Sequence, residues 1–282
     1  MTPSTDPPSA PGARPRATSE RLSEADYQSN PVDYLIYCCH LATYDFAIPY
    51  VQDRAVLDFG CGTGYGTHRL AAVCSRITGV DISDEAIDYA ARAHQAPNLD
   101  YQRIRPLPAH PAPFPDGSFE AITSFQVIEH IWDVDAYVDE LGRLLAPGGV
   151  AVIATPDRTT RLFPRQRPWN LYHVIEYDHA GLRIALERRF SDVEMHSMTA
   201  PGVDDIELAR DRRLRLVTYP VTFPGAPEWL RTRGLRAFKW VQARGRRGGD
   251  EPVRRTFDFG VEDVRIEPGD RPSMNLVAVA RR

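Results

Sequence analysis

Lysine is almost missing from this chain: of 34 basic residues only Lys239 is one, and arginine supplies the rest. The 38 acidic residues outnumber them and leave a formal charge of −4, so global charge gives no reason to expect a nucleic-acid partner. Cysteine is scarce as well. Cys38, Cys39, Cys61 and Cys74 form neither a C-x-x-C pair nor a metal-finger spacing, which points to reduced thiols in the cytoplasm. No apolar run approaches the roughly 18 residues that crossing a bilayer needs, so a transmembrane segment is not expected, while peripheral membrane contact stays open. The first 20 residues are rich in Pro, Ser, Thr and Ala and lack an apolar stretch. They read as a disordered tail rather than a signal peptide. What remains is 43% hydrophobic, enough for an ordinary core.

The stretch that organises this core is VLDFGCGTGYG at 56–66. An apolar strand runs into Asp58 and then into glycines at 60, 62, 64 and 66 before a helix opens, so backbone N–H groups are expected to face a crevice. Here too the absences decide. A dinucleotide fingerprint needs a glycine three residues after its second one, and Tyr65 or Thr67 stands there instead. A phosphate loop needs Gly-Lys-Ser/Thr, which is missing. The next strand, SRITGVDI at 75–82, ends in Asp81, about 20 residues past the loop, where an acid can accept hydrogen bonds from ribose hydroxyls.

The pattern D-x-G-x-G-x-G with that second acid resembles motif I of the class I methyltransferases, which bind S-adenosylmethionine. The resemblance implies a cofactor site made of Asp58, Gly60, Cys61, Gly62, Thr63, Gly64, Asp81 and Ile82. The loop backbone would take the amino-acid part of the ligand, Asp58 would complement its positive charge and Asp81 would hold the ribose. Relatives commonly place an acid ahead of a proline-aromatic turn to meet adenine. This chain reads RPLPAHPAPFPDGSF at 105–119, with no acid before Asp116. Adenine is then expected against main chain and apolar contacts around Ala109 and His110. An aromatic helix over 34–50 leads into the first strand and places His40 and Tyr44 on one face, with Tyr44 a further cofactor candidate.

Strand and helix alternate five times from residue 55 to 154, which predicts a parallel sheet with helices on both faces and ligands at the strand C-terminal ends. The expected fold is α/β, a Rossmann-like sheet of seven mostly parallel strands with a helical insertion before the last one. The domain division is 1–20 tail, 21–202 methyltransferase core, 203–250 basic insertion, and 251–282 carrying the last strand, near 274–280. The insertion should form two amphipathic helices around the YPVTFPGAP turn, serving as a lid or as a patch for an anionic glycan, carrier or membrane surface.

After the fourth strand comes QVIEHI, whose Gln126, Glu129 and His130 would share a face of a helical turn. Together with YHVIEY at 172–177, this stretch resembles a subgroup holding the ubiquinone-biosynthesis O-methyltransferases and small-RNA 2′-O-methyltransferases, as well as bacterial sugar- and polysaccharide-associated methyltransferases. There an E-x-x-E-H turn and a downstream histidine can bind a divalent ion. By that resemblance Glu129, His130 and His173 are the metal candidates for Mg²⁺ or Mn²⁺, and Gln126 replaces the first acid. Gln126 is also a cofactor candidate. A metal-free use of the same residues is equally open, in which His130 or His173 removes the acceptor's proton and Glu129 orients it. Arginines and aromatics at 158–178 suit a polar, ring-bearing or anionic acceptor. The expected activity is O-methylation of a sugar, glycan or glycosylated metabolite in the cytoplasm. The alternatives are a phenolic or catechol acceptor, or a noncatalytic module that only binds the cofactor.

Overall fold

The structure is a computed structural model that describes residues 30–245 and 257–282. The tail expected at 1–20 and the end of the insertion, 246–250, lie outside the described residues. Helix α1 (Pro31–Val51) opens where Asn30 accepts a hydrogen bond from the Asp33 amide at 3.0 Å and proline supplies the fixed φ of a first helical position. Then follow β1 (Ala55–Phe59), α2 (Tyr65–Ala71), β2 (Arg76–Asp81), α3 (Asp84–Ala93), β3 (Leu99–Arg103), β4 (Phe119–Phe125) and, after a 3₁₀ turn at Ile128–His130, α4 (Val134–Leu144). The second half holds β5 (Leu145–Pro156), the one-turn α5 (Arg158–Arg161), α6 (His179–Glu187), β6 (Asp192–Thr199), α7 (Asp205–Thr222), α8 (Glu228–Gly245), β7 (Arg265–Pro268) and β8 (Asn275–Arg281).

The strands form one sheet in the order β3-β2-β1-β4-β5-β8-β6-β7. β1 to β5 run parallel, and β8 enters antiparallel between β5 and β6. The sheet therefore has eight strands, not the seven expected. The extra one is β7, four largely exposed residues paired antiparallel to β6, too short and too polar for its periodicity to mark it.

Successive residues of the central strands feed two cores. Leu57 and Ile153 pack with Tyr137, Leu141 and Leu182 on one face, whereas Val56 and Val152 pack with Leu35, Tyr44 and Leu70 on the other. Helices α4 and α6 thus cover one side, and α1 and α2 cover the other. β1 leads outward through β2 and β3, while β4 returns to pair on its other side. The strand order reverses there, which leaves a crevice at the C-terminal ends of β1, β2 and β4. Among the described residues no helix is long and apolar enough to cross a membrane.

Candidate active site

Two acids tip two adjacent strands. Asp58, buried near the end of β1, accepts hydrogen bonds from Thr67 Oγ1 at 2.6 Å, Thr123 Oγ1 at 2.8 Å and the Tyr44 hydroxyl at 3.2 Å. Asp81, at the end of β2, accepts from the Gly62 amide at 3.1 Å and the Ser83 amide at 2.8 Å. The glycine loop between them is more self-contained than expected. The amides of Gly60 and Cys61 donate to the Val80 carbonyl at 2.7 and 2.9 Å, and that of Gly64 donates to Cys61 at 3.0 Å. These three, with Gly62, do not face an open crevice, because a loop this tight pairs its amides with the nearest acceptors.

The loop is closed at one glycine and open at another. A Cβ on Gly66 would lie 2.0 Å from the ring of Tyr44, so α2 approaches α1 only through hydrogen there. Gly62 has a φ of +54°, and a Cβ on it would meet nothing within 4 Å. Ile82, next to Asp81, is half exposed, while Cys61 and Thr63 are buried inside the loop. An open side at Gly62, carboxylates on two strand ends and an apolar side chain beside Asp81 fit a nucleoside bearing a cation. Tyr44 acts on this cradle through Asp58, with its ring against Phe125 at 4.8 Å between centroids. His40 Nδ1 is 2.9 Å from the Tyr65 hydroxyl. Ala109 and His110 are exposed on the proline-rich segment, and no hydrogen bond ties 105–111 to the loop.

Burial pushes the Asp58 carboxyl up from its ordinary 3.8 to about 6, against the lowering effect of its three hydroxyl donors. The folded, ligand-free chain therefore holds this proton more tightly than the unfolded chain. The stability it contributes is complete below about pH 4 and is lost as pH rises through about 6. A cation bound nearby favours the ionised form, so uptake of S-adenosylmethionine near pH 6 is expected to release a proton. Calorimetry in two buffers of different ionisation enthalpy measures this directly. Identical enthalpies in both would remove Asp58 from cation binding.

The second half of the site lies past β4. Gln126 has a φ of +58°, its amide donates to the Ala154 carbonyl at 2.8 Å and its Nε2 donates to Asn275 Oδ1 at 3.2 Å. It therefore does not share a helical face with Glu129 and His130. The chain leaves the strand by a left-handed kink and only then enters the 3₁₀ turn. Glu129 and His130, which lie on that turn, do meet His173. One ligand atom from each of the three lies within 4.8 Å of the others.

The donors are oriented by their neighbours. His130 Nδ1 is 3.1 Å from the Tyr172 carbonyl, which can only accept, so the proton sits on Nδ1 and a lone pair on Nε2. His173 Nδ1 is 2.7 Å from Glu176 Oε1, which assigns the same tautomer to His173. Glu129 is fully buried; its Oε2 accepts from Thr155 Oγ1 at 2.9 Å, while Oε1 has no partner. Its carbonyl accepts from the Val174 amide at 2.8 Å, which docks the loop that carries His173 onto the turn. A buried carboxylate oxygen left without a donor costs about 1–3 kcal/mol. With two imidazoles converging on the same carboxylate, an oxygen without a donor fits a divalent ion.

The acceptor loop differs from expectation in the use of its arginines. Arg161 is buried against Glu176 at 3.0 Å and over the Trp169 ring at 4.4 Å, and Arg167 pairs with Glu228. These two are internal braces rather than a grip on an anionic acceptor. Helix α8 braces the same loop, because Arg231 donates to the carbonyls of Pro168 at 3.0 Å and Asn170 at 2.9 Å. Exposed apolar groups lie beside the histidines in the chain: Trp132, 85% exposed, Tyr172 and Ile175. Trp132 and Glu176 escaped the sequence reading. The i, i+3 spacing of His173 and Glu176 was the available signal for the second.

A glycine loop between acid-tipped parallel strands, at the point where an open sheet reverses its strand order, defines an α/β protein with a nucleoside-type site. Residues 57–153 match a family model described as a methyltransferase domain. The chain is 36% identical over 141 residues to a probable S-adenosylmethionine-dependent methyltransferase of Mycolicibacterium smegmatis, covering 50% of this chain and 53% of that one. It is 32% identical over 193 residues to another of that description from Mycobacterium tuberculosis, covering 67% and 68%. A ubiquinone biosynthesis O-methyltransferase of Albidiferax ferrireducens is 34% identical over 116 residues, covering 40% and 45%. The chain thus spans about half the length of the first and third of these relatives. It belongs to the S-adenosylmethionine-dependent methyltransferases. The solved structure of the [4+2]-cyclase SpnF, with a TM-score of 0.52 and 16% identity over 86% of this chain and 81% of that one, shares the fold alone.

Proposed function

We propose that this chain transfers a methyl group from S-adenosylmethionine to a hydroxyl on a sugar ring of a glycan or glycosylated metabolite, with a divalent ion at Glu129, His130 and His173. The observation that carries this reading is the convergence of one ligand atom each from Glu129, His130 and His173 within 4.8 Å, with Glu129 Oε1 unpartnered. An alcohol attacks poorly until its proton is leaving, and the convergence of these three groups supplies the means. S-adenosylmethionine brings a methyl already activated on sulfur. A bound divalent ion would make the acceptor hydroxyl more acidic.

The chain's own residues do the rest. The Gly62 side of the loop and Asp81 hold the donor at the ends of β1 and β2, and Glu129 and the histidines hold the hydroxyl beyond the end of β4. β1 and β4 are paired neighbours, which supports a reading in which the two sites lie side by side. Two nitrogens and one carboxylate oxygen suit Mn²⁺ better than Mg²⁺, which prefers oxygen ligands. Trp132, largely exposed, offers a ring face of the kind that stacks on sugar C–H surfaces, whereas Lys239 Nζ lies over the Tyr172 ring at 4.7 Å. A phenolic acceptor is the second reading, favoured by the likeness to a ubiquinone biosynthesis O-methyltransferase.

Labelled methyl donor with panels of glycosides and catechols tests both. Treatment with EDTA is expected to abolish transfer, and Mn²⁺ is expected to restore it more fully than Mg²⁺. Full transfer in EDTA would leave the histidines as bases without a metal, and label on catechols alone would replace the sugar reading.

A further inference from the structure

Behind His173 lies a line of buried charge. His173 Nδ1 is 2.7 Å from Glu176 Oε1, and Glu176 accepts from Arg161 Nε at 3.0 Å and from Arg161 Nη2 at 3.2 Å. Arg161 Nη1 reaches Asp211 on α7 at 3.3 Å, and Arg210 closes on Asp211 at 2.8 Å and on Glu207 at 3.2 Å. Every member except Arg210 is at least nine-tenths buried. Such a line is poor ground for stability, because desolvating ions offsets most of their attraction, and apolar residues of like volume often serve as well or better. Its geometry suits a different task. A carboxylate can only accept, so Glu176 leaves His173 one neutral tautomer, with the lone pair on Nε2, the nitrogen left for a ligand.

We propose that Glu176 is a positioning residue that fixes the tautomer and ring of His173. In this arrangement Arg161 and Asp211 carry the constraint from helix α7, so the insertion helps to set up acceptor activation. The inference rests on the reading of His173 as a donor to that site. Three features support it. Glu176 is three residues after His173 in a loop with little regular structure, so its carboxylate needs an anchor outside the loop. Arg161 provides one with two donors directed at both carboxylate oxygens, a geometry that an ammonium could not reproduce. Glu176 is also buried, so bulk water does not compete with His173 for its carboxylate.

The test uses the full chain labelled with ¹⁵N-histidine. In the native protein the His173 resonances are expected to show one neutral tautomer, protonated at Nδ1. In Glu176→Gln the amide cannot satisfy both arginine donors and the imidazole without turning a donor on one of them. A mixture of tautomers is therefore expected, and Mn²⁺ affinity followed by electron paramagnetic resonance should fall roughly 10- to 100-fold. Asp211→Asn, which touches no imidazole, is expected to move both readouts in the same direction by less, and it keeps the test usable if the first variant folds poorly. S-adenosylmethionine affinity by calorimetry should be unchanged in both variants, which checks the fold. A native His173 protonated at Nε2, or an unchanged tautomer and Mn²⁺ affinity in Glu176→Gln, overturns the proposal. A native protein that takes up no Mn²⁺ but shows the Nδ1 tautomer, disturbed in Glu176→Gln, upholds the positioning role and counts against the metal reading alone.

Discussion

Glu129→Gln is expected to lower methyl transfer by roughly 10²- to 10⁴-fold while S-adenosylmethionine binds as before. The substitution is nearly isosteric. The amide oxygen can keep the bond that Glu129 Oε2 receives from Thr155 at 2.9 Å, so the 3₁₀ turn should hold its shape. The loss falls on Oε1, the buried oxygen without a partner, where an N–H would now stand in a group of three converging ligand side chains. Negative charge and a lone pair disappear from the place where the acceptor's proton, or a divalent ion, has to be met. Single-turnover transfer with saturating donor reads the chemical step, and calorimetry reads the donor separately. Undiminished transfer in this variant would reduce Glu129 to a local strut between Thr155 and Val174.

The second large effect separates two glycines that look alike in sequence. Gly66→Ala is expected to destabilise the fold strongly. A methyl 2.0 Å from the Tyr44 ring must displace a buried aromatic that donates to Asp58 and packs on Phe125, a change of the overpacking kind that costs about 1–3 kcal/mol or more. Gly62→Ala should behave in the opposite way. Its φ of +54° is within the left-handed region at a cost of about 1–2 kcal/mol, and the new methyl meets no protein atom within 4 Å. The chain should still fold, but the methyl occupies the open side assigned to the donor, and S-adenosylmethionine affinity is expected to fall at least tenfold. Thermal melts with calorimetry on both variants check the contrast. Full donor affinity in Gly62→Ala would mean that the ligand lies elsewhere on the loop.

Much of this architecture could be read from the residue order because its signals are local. Apolar β-branched runs that alternate with short helices mark the repeating unit of a parallel sheet, and the strand at 119–125 was legible to the residue. The motif at 56–66 and Asp81 carry the cofactor assignment in side-chain identity and spacing. The histidine pair was visible as types in a pattern, and it could be singled out only through the resemblance that joins 130 to 173.

Local signals misled where a contact reaches far along the chain. Gln126 was read onto a helical face, but pairing with Ala154 and Asn275 holds its backbone at positive φ and turns the chain before the helix begins. Arg161 and Arg167 look like groups for an acceptor in a loop of arginines and aromatics. Their carboxylate partners are Glu176, farther along the same loop, and Asp211 and Glu228 on the insertion helices, and only the packing of these elements reveals the pairs.

The residue order by itself determined the sheet class and the family, because periodicity and glycine spacing act over a few residues and need no partner. The tertiary structure alone decided which ring nitrogens of His130 and His173 meet an acceptor, which loop amides are already engaged, and that helix α7 stands behind His173. Each of these depends on hydrogen bonds between residues far apart in the chain, whose geometry is fixed only when the elements pack.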